Sequence, residues 1–380
     1  MKRILLFISL LTLAQIANAQ KQVPIVKANS KTVTVRDGKN VSNGNLGITT
    51  KANPFVYAYS GNKVTFITDA DSITIQINSK IEKYDFVFLS SGKDSTWVQV
   101  KYPIPYEIKL KKAKKYNYSD SRFVPKFEYQ SMDNPNLVRT RKDLKLDSIA
   151  GTGNELSKIF NLMHWVHNII RHDGSSNNPT LRNAIELVKV CKTENRGVNC
   201  RMMATVLNEC YLSLGIKSRY ITCMPKETQF DDCHVINMVY SNDLKKWIWI
   251  DPTFDAYVMN EKGELLGIRE VRERLINGKP LILNADANWN RMNSQTKEDY
   301  LETYMAKNLY RLQTPLISEY DTETWKDGKE ISYIELLPLD GIEQTPQKSE
   351  VKSANTNVKR IVYKTNNPDL FWEKSNQKQN

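Results

Sequence analysis

Apolar and polar residues alternate in short runs between about residues 31 and 112, and Gly, Asn, Asp or Ser separates one run from the next. Seven or eight short strands at this spacing predict a β-sandwich, which we assign to residues 20–112 as an accessory domain. Because the region contains neither His nor Cys, we expect it to hold a substrate or to act as a spacer. The runs are KTVTV, FVYAYS, KVTFIT, SITIQI, YDFVFLS, TWVQVKY and YEIKLK.

The pattern changes after a polar, lysine-rich segment that contains two prolines, residues 113–145, which we interpret as a connector. Beyond it the apolar residues recur every three or four positions, which is typical of helices that pack on a core. Strands follow these helices, so we predict an α+β domain over residues 146–315. Residues 316–380 are predicted to form a C-terminal extension with one β-hairpin that turns at Asp327-Gly328.

The first residues have the order of a secretory signal peptide. Two basic residues precede an apolar run over residues 4–13, and Ala17-Asn18-Ala19 is a small-x-small cleavage site. We therefore predict a signal peptide over residues 1–19 and a mature protein that is exported, either to the periplasm or out of the cell. The apolar run is shorter than the roughly 20 residues that a membrane helix needs, and no later stretch reaches that length, so we expect no membrane span.

The chain is basic, with a formal net charge of +12, and five lysines lie within the seven residues KLKKAKK, 109–115. The simplest interpretation of this run is a solvated linker or sheet edge, and the alternative is a surface that attracts an acidic polymer. An exported chain without a nucleic-acid recognition motif is not expected to bind nucleic acid.

One of the five cysteines lies where a helix is predicted to begin. In GVNCRMMATVLNECYLSLGIKSRYITC, residues 197–223, Asn199 is suited to cap the start of a helix and Gly215 to follow its end. Cys200 then lies in the first turn, where the helix dipole lowers the pKa of a thiol and favours the reactive thiolate. Cys210 belongs to the apolar stripe and is better explained as a core residue. An odd number of cysteines in an exported protein leaves one thiol over after pairing, although four reduced and buried cysteines fit the count equally well.

A base for this thiol is found among the four histidines. His234 lies in DDCHVINMVYSNDLKKWIWIDPTFD, where two apolar runs flank a polar turn and predict an antiparallel hairpin. Opposed side chains lie about 4.5–5.5 Å apart at Cβ, so a carboxylate opposite His234 would orient its imidazole. A one-residue slip would send the two side chains to opposite faces, so the inference depends on the parity of the turn. With a turn centred on residues 242–243, the predicted pairs are Tyr240 with Lys245, Met238 with Trp247 and His234 with Asp251.

These two stretches resemble the transglutaminase-like superfamily. Its members have a helix headed by cysteine, then LGI and a basic-aromatic strand, then a strand headed by histidine and a W-x-x-x-D-P-T closure. The match is dense over the two quoted stretches and looser over residues 146–275. The resemblance implies a papain-like core with the cysteine helix on an antiparallel sheet, and no obligatory cofactor. It also implies that Cys200 is the nucleophile, His234 the general base and Asp251 the orienting acid.

Some positions depart from the family pattern. The family often has glycine two residues before the cysteine, whereas here Gly197 lies three residues before it. Arg201 stands where small or aromatic residues are common, so it would narrow the pocket or bind a carboxylate. The backbone N–H of Cys200 is one candidate oxyanion donor, and the sequence does not identify a second. Trp165 lies at a suitable distance upstream to supply this second donor, but it is better explained as a core aromatic residue.

Three histidines precede the cysteine helix, and with Asp173 they could be interpreted as a metal cluster. His164 and His167 share a face of the predicted helix, whereas His172 points elsewhere. We therefore favour surface or core histidines and predict no metal site.

These features predict an exported cysteine enzyme that attacks amide carbonyls and forms a thioester acyl-enzyme. Water as the acceptor would make it a peptidase or amidase, and an amine would make it a protein-glutamine acyltransferase. We favour hydrolysis, because no acceptor pocket is visible in the sequence, and we expect a protein or cell-wall peptide as substrate. The alternative from another class is a binding or scaffold protein that uses this fold without turnover, against which the intact Cys, His and Asp argue.

Overall fold

The computed structural model describes residues 23–37, 40–58, 63–76, 83–101, 104–113, 115–230, 232–340 and 342–372. The chain divides into two compact units, Met1–Ile104 and Pro105–Asn380. The predicted signal peptide lies outside the described residues. Among the described helices, none combines the length and the apolar character that crossing a membrane requires.

The first unit is a sandwich of two four-stranded sheets in its described part. Its strands are β1 Ile25–Ala28, β2 Thr32–Asp37, β3 Asn40–Gly47, β4 Phe55–Ala58, β5 Val64–Ile67, β6 Ser72–Ile75, β7 Lys83–Ser90 and β8 Ser95–Lys101. One sheet has the order β1-β7-β8-β4 and the other the order β3-β2-β5-β6. Alternate side chains of both sheets, including Phe66, Phe86 and Phe88, form one core. The N-terminal β-sandwich of the predicted fold class is confirmed.

The run YEIKLK was predicted as a strand of the sandwich but is helix α1, Tyr106–Lys111, of the second unit. Leu110 is fully buried in the core of that unit. An ion pair joins Glu107 to Lys111 one helical turn later. Three apolar residues at alternate positions are too few to distinguish a strand from a short helix, and the burial of Leu110 favours the helix.

A seven-stranded sheet lies at the centre of the second unit. Its strands are β10 Ser218–Met224, β11 His234–Ser241, β12 Lys246–Ile250, β17 Arg311–Pro315, β19 Glu330–Leu336, β20 Lys348–Lys352 and β21 Lys359–Thr365. The order is β12-β11-β10-β17-β19-β21-β20, and neighbours are antiparallel except β19 and β21. Residues 316–380, predicted as an extension, therefore supply β19, β20 and β21 to this sheet.

The hairpin predicted at Asp327-Gly328 is wrong in its first strand. The chain turns there, with Gly328 in the left-handed conformation (φ 72°), but residues 322–326 before the turn are not a strand. After the turn, β19 pairs with β17 and β21 instead. Both partners lie elsewhere in the sequence, where a local pattern of turn and flanking apolar residues cannot reveal them.

Helices cover both faces of the sheet. Val239 and Ile250 point to one face, where they pack with residues of α3 to α6, and Met238 and Trp249 point to the other, where they pack with α1, α7, a π-helix, α8 and α9. The bounds are α2 Pro135–Asp143, α3 Leu146–Ala150, α4 Glu155–Ile169, α5 Ala184–Thr193, α6 Cys200–Ser213, α7 Ile268–Asn277, the π-helix Glu298–Met305, α8 Ala306–Asn308 and α9 Pro368–Trp372. The predicted α+β class, with the cysteine helix on an antiparallel sheet, is confirmed.

Short strand pairs complete the described part of the second unit. They are β9 Glu128–Tyr129 with β18 Ile317–Ser318, β13 Val258–Met259 with β14 Ile282–Leu283, and β15 Asn288–Trp289 with β16 Asn293–Ser294. In the predicted connector, Pro135 is the first residue of α2, a position where the missing N–H of proline is tolerated.

Candidate active site

Cys200 is the first residue of α6. The side chain of Asn199 accepts a hydrogen bond from the backbone N–H of Met202 at 3.1 Å and so caps the helix, as predicted. The helix ends at Ser213, and Gly215 beyond it has a left-handed conformation (φ 74°). The thiol therefore lies at the positive end of the helix dipole, which favours the thiolate.

β11 and β12 form the predicted antiparallel hairpin, but the register differs from the predicted one by two residues. The observed pairs include Met238 with Trp249, Tyr240 with Trp247 and Ser241 with Lys246. The predicted pairs of Tyr240 with Lys245, Met238 with Trp247 and His234 with Asp251 are therefore wrong. The strands are joined by the four residues 242–245 and not by a two-residue turn. In this loop the Ser241 hydroxyl accepts a hydrogen bond from the Leu244 N–H at 3.2 Å, and Lys245 is left-handed (φ 53°).

A shift of two residues preserves the face on which each side chain lies, because side chains alternate along a strand. His234 and Asp251 therefore still meet, with 2.7 Å between Nε2 of the imidazole and Oδ2 of the carboxylate. Their side chains are 1% and 0% exposed, so water does not weaken this contact. The structure brings together the histidine and the carboxylate that the sequence singles out.

The carboxylate of Asp251 is held by further donors. The backbone N–H of Thr253 donates to Oδ1 at 2.9 Å, and the hydroxyl of Tyr300 donates to Oδ2 at 2.5 Å. Tyr300 in turn accepts a hydrogen bond from the indole N–H of Trp249 at 3.2 Å. Sequence reasoning does not identify Tyr300, which lies on the π-helix, an element that often occurs at functional sites. The one available signal is a second tyrosine four residues later, Tyr304, on the same side of the helix.

His234 is enclosed by aromatic rings as well as by its carboxylate partner. The ring centroids of Tyr304 and Phe254 lie 5.2 Å and 5.4 Å from that of His234. Burial by itself would lower the pKa of His234, but the charge of Asp251 and the hydrogen bond with it raise the pKa to about 10. Because Nε2 contacts Asp251, Nδ1 is the ring nitrogen left to face the thiol.

Two histidines, His234 and His172, act on the thiol of Cys200. Burial by itself would raise the pKa of the thiol, but hydrogen bonds with these histidines and the charge of His234 lower it to about 6. The lowered pKa of Cys200 and the raised pKa of His234 both favour a thiolate beside an imidazolium. Such a pair combines a nucleophile with a proton donor for a leaving group.

His172 is brought to the thiol by a contact between two backbone segments. The N–H of Val198 donates to the carbonyl of Arg171 at 3.1 Å, and the N–H of Asp173 donates to the carbonyl of Val198 at 2.8 Å. Gly197 permits this approach, because a Cβ there would lie 2.6 Å from the Arg171 carbonyl oxygen. Sequence reasoning groups His172 with the other two histidines and does not predict this position.

The remaining residues that the sequence singles out lie outside the contact between thiol and imidazole. Arg201 donates to Glu323 at 3.2 Å and to Thr222 at 3.0 Å, so the carboxylate that it binds belongs to the protein itself. Trp165 packs against the core on the α6 side of the sheet, as predicted. All five cysteines are free thiols. Burial raises the pKa of the thiols of Cys191, Cys210, Cys223 and Cys233, in the last case to about 11.

The three upstream histidines have separate surroundings. His167 is buried between the carbonyl of Pro252 and the side chain of Asn288, each 3.0 Å from a ring nitrogen. His164 contacts both oxygens of Asp255 at 2.7 Å. Among the described residues, His164, Asp255 and Asp286 have their ligand atoms within 4.8 Å of one another and could hold a cation. His164 and Asp255 already form an ion pair, so two of the three residues have a partner without a cation.

Comparison with known proteins finds a family match in part of the second unit. Residues 142–252 match the family model of the transglutaminase-like superfamily. No curated protein sequence matches the chain. Three solved structures are similar to larger parts of the chain. A candidate cysteine protease from Cytophaga hutchinsonii has 16% identity over 60% of this chain and 73% of its own, with a TM-score of 0.25. A candidate protease from Parabacteroides distasonis has 13% identity over 50% of this chain and 35% of its own, with a TM-score of 0.22. Red sea bream transglutaminase has 13% identity over 61% of this chain and 49% of its own, with a TM-score of 0.22. Residues 142–252 are thus a transglutaminase-like region, in the family that the sequence resembles.

Proposed function

We propose that this protein is an exported cysteine enzyme that cleaves amide bonds through Cys200, His234 and Asp251. One observation carries the proposal. The thiol at the start of α6 lies in reach of a buried imidazole whose other nitrogen is 2.7 Å from a buried carboxylate. Nucleophile, base and orienting acid in this order are the parts that acyl transfer needs.

The proposed reaction begins with attack of the Cys200 thiolate on the carbonyl carbon of an amide. A C–S bond forms, and the π electrons of the carbonyl move to its oxygen. When the tetrahedral adduct collapses, the C–N bond breaks, and the His234 imidazolium gives its proton to the leaving amine. The product is a thioester on Cys200 and a neutral His234, which then takes a proton from the attacking acceptor. Asp251 holds the imidazole in one orientation.

We favour water as the acceptor. Water is in large excess and needs no binding site, whereas an amine has to be bound and deprotonated in order to compete. The substrate that we propose is a protein or a cell-wall peptide, in keeping with the export signal and with a separate β-sandwich free of His and Cys. The protein-glutamine acyltransferase and the scaffold without turnover are outcomes of the test below.

The test is product analysis with a glutamine-containing peptide and a short peptide ester, each with and without a fluorescent primary amine. We expect the free acid as the main product by mass spectrometry in both conditions, and no product with Cys200→Ala. A dominant amine adduct would make the protein an acyltransferase. No turnover of any amide or ester by the wild-type protein would favour the scaffold. Sequencing the N-terminus of the protein released from cells tests export, with cleavage after Ala19 expected.

A further inference from the structure

The two histidines near Cys200 differ in what holds their second ring nitrogen. His234 is held by the carboxylate of Asp251. The Nδ1 atom of His172 is held by the indole N–H of Trp289 at 3.1 Å. A carboxylate accepts a hydrogen and favours a cationic ring, whereas an indole only donates. The two imidazoles are therefore suited to different tasks.

The indole contact determines which nitrogen of His172 carries hydrogen. Because Trp289 donates, Nδ1 accepts with its lone pair and is unprotonated, so the hydrogen is on Nε2. His172 thus keeps an N–H donor available on the side of the ring opposite the indole.

The ring of His172 is fixed by its backbone as well as by Trp289. The N–H of His172 donates to the side chain of Asn290 at 2.7 Å, and that side chain donates back to the carbonyl of His172 at 3.0 Å. His172 also forms a parallel bridge with Val198, two residues before the nucleophile. A donor held in this way needs no reorganisation when charge develops near it.

We propose that His172 is the second oxyanion donor of this site, together with the backbone N–H of Cys200. The inference rests on the function proposed above. The oxyanion is bonded to the carbon that the Cys200 sulfur attacks, and the bridge between His172 and Val198 holds the histidine beside the start of α6, where the new charge appears. The first amides of a helix have no partner within the helix, which leaves the N–H of Cys200 as the other donor. His172 gives up no proton, and the electron pair returns from oxygen to carbon as the amine leaves.

The test distinguishes a His172 that donates to the oxyanion from a His172 that donates only to the thiolate. Alkylation of Cys200 by iodoacetamide needs the thiolate but forms no oxyanion, whereas acylation by a p-nitrophenyl ester forms one. Both rates are measured on the full-length protein over pH, and the plateau values above the thiol pKa are compared. For His172→Ala we expect acylation to fall by about 10²–10³, mainly in kcat, while the alkylation plateau changes by less than about threefold.

Matched variants keep the result interpretable. His164→Gln removes a histidine of the same region and should leave both plateaus unchanged. Trp289→Phe keeps an aromatic ring but removes the indole N–H, so it should weaken acylation and spare alkylation even if His172→Ala unfolds. Equal losses in acylation and alkylation, or unchanged acylation in both His172→Ala and Trp289→Phe, would overturn the inference while the proposed function stands. If the wild-type protein shows no acylation at all, both this inference and the proposed function are contradicted.

Discussion

The carboxylate of Asp251 is the residue on which the proposed chemistry depends most after Cys200 itself. One of its oxygens accepts from the Thr253 N–H, and the other contacts both Nε2 of His234 and the hydroxyl of Tyr300. These contacts leave it no freedom to rotate. An amide in its place would present an NH2 group or a weaker acceptor to the ring, and the imidazole would lose its fixed tautomer.

Asp251→Asn should therefore keep the fold but lower kcat/KM by about 10³–10⁴, because a misoriented imidazole is a poor proton carrier. Tyr300→Phe is the matched control, since it removes one donor to the carboxylate and keeps the charge. We expect it to cost no more than about tenfold, on the scale of one hydrogen bond to a charged group. Steady-state kinetics and thermal unfolding of both variants check this. Wild-type activity in Asp251→Asn would reduce Asp251 to a structural strand end.

At the residue scale, the sequence predicts the contact of His234 with Asp251, because this contact depends only on the face of the strand on which each side chain lies. It does not predict contacts between residues that are far apart in the chain. The sequence predicts this pair in a register that is wrong by two residues. The two side chains still meet, because an even shift keeps each of them on the same face of its strand. His172 contacts Trp289, which is 117 residues away in the chain, and Tyr300 contacts Asp251, which is 49 residues away. The local pattern of apolar and polar residues does not predict such contacts.

At the element scale the close approach of two segments positions the histidine beside the thiol. A Cβ on Gly197 would lie 2.6 Å from the carbonyl oxygen of Arg171 and 2.7 Å from Cβ of Asp173. Real Cβ atoms do not come so near to backbone, so any larger residue has to separate the segments. His172 lies between these two residues and would move with them.

Gly197→Ala should therefore lower the free energy of unfolding by about 1–3 kcal/mol, the usual cost of overpacking. It should also weaken acylation, because His172 is displaced. The control is Gly174→Ala, where the new Cβ would meet only an ordinary contact of 3.6 Å to the His172 ring. Denaturant unfolding and ester kinetics on both variants provide the comparison. Equal stability of the two would show that the segments separate without cost.

Elements with strong local signals are the ones that the sequence predicts best. The cysteine helix has Asn199 before it and Gly215 after it, and its bounds follow from these residues. YEIKLK carries no such signal, and its helix is selected by burial of Leu110 in the second unit. The strand after Asp327-Gly328 pairs with partners that only the completed sheet supplies.

At the scale of the whole molecule, the division of the chain decides how the role of the β-sandwich can be tested. The division falls at Ile104 and Pro105, so α1 stays with the second unit. The proposed polymeric substrate would be held by the first unit and cleaved by the second. A deletion that ends at residue 112 would remove Leu110 from the second core, whereas one that ends at residue 104 would not.

Deletion of residues 20–104 should weaken cleavage of a polymeric amide far more than cleavage of a short peptide ester, because the short substrate needs only the cleft. Deletion of residues 20–112 is the comparison. It should also lower stability by about 2–5 kcal/mol, the cost of losing a buried leucine. Kinetics on both substrates and denaturant unfolding test this. Equal losses on polymer and ester after deletion of residues 20–104 would assign the sandwich no role in binding substrate.

The proposed chemistry depends on Cys200 as a reactive thiolate, and the pH dependence of alkylation of the wild-type protein tests this most directly. Iodoacetamide labelling is followed at each cysteine by mass spectrometry between pH 4 and pH 9. Because the pKa of Cys200 is lowered to about 6, its labelling should rise through that pH and be near its plateau at pH 7. The other four thiols, with raised pKa values, should stay almost unlabelled in the native protein. Labelling of Cys200 that rises only above pH 8, at the rate of an ordinary thiol, would contradict the account.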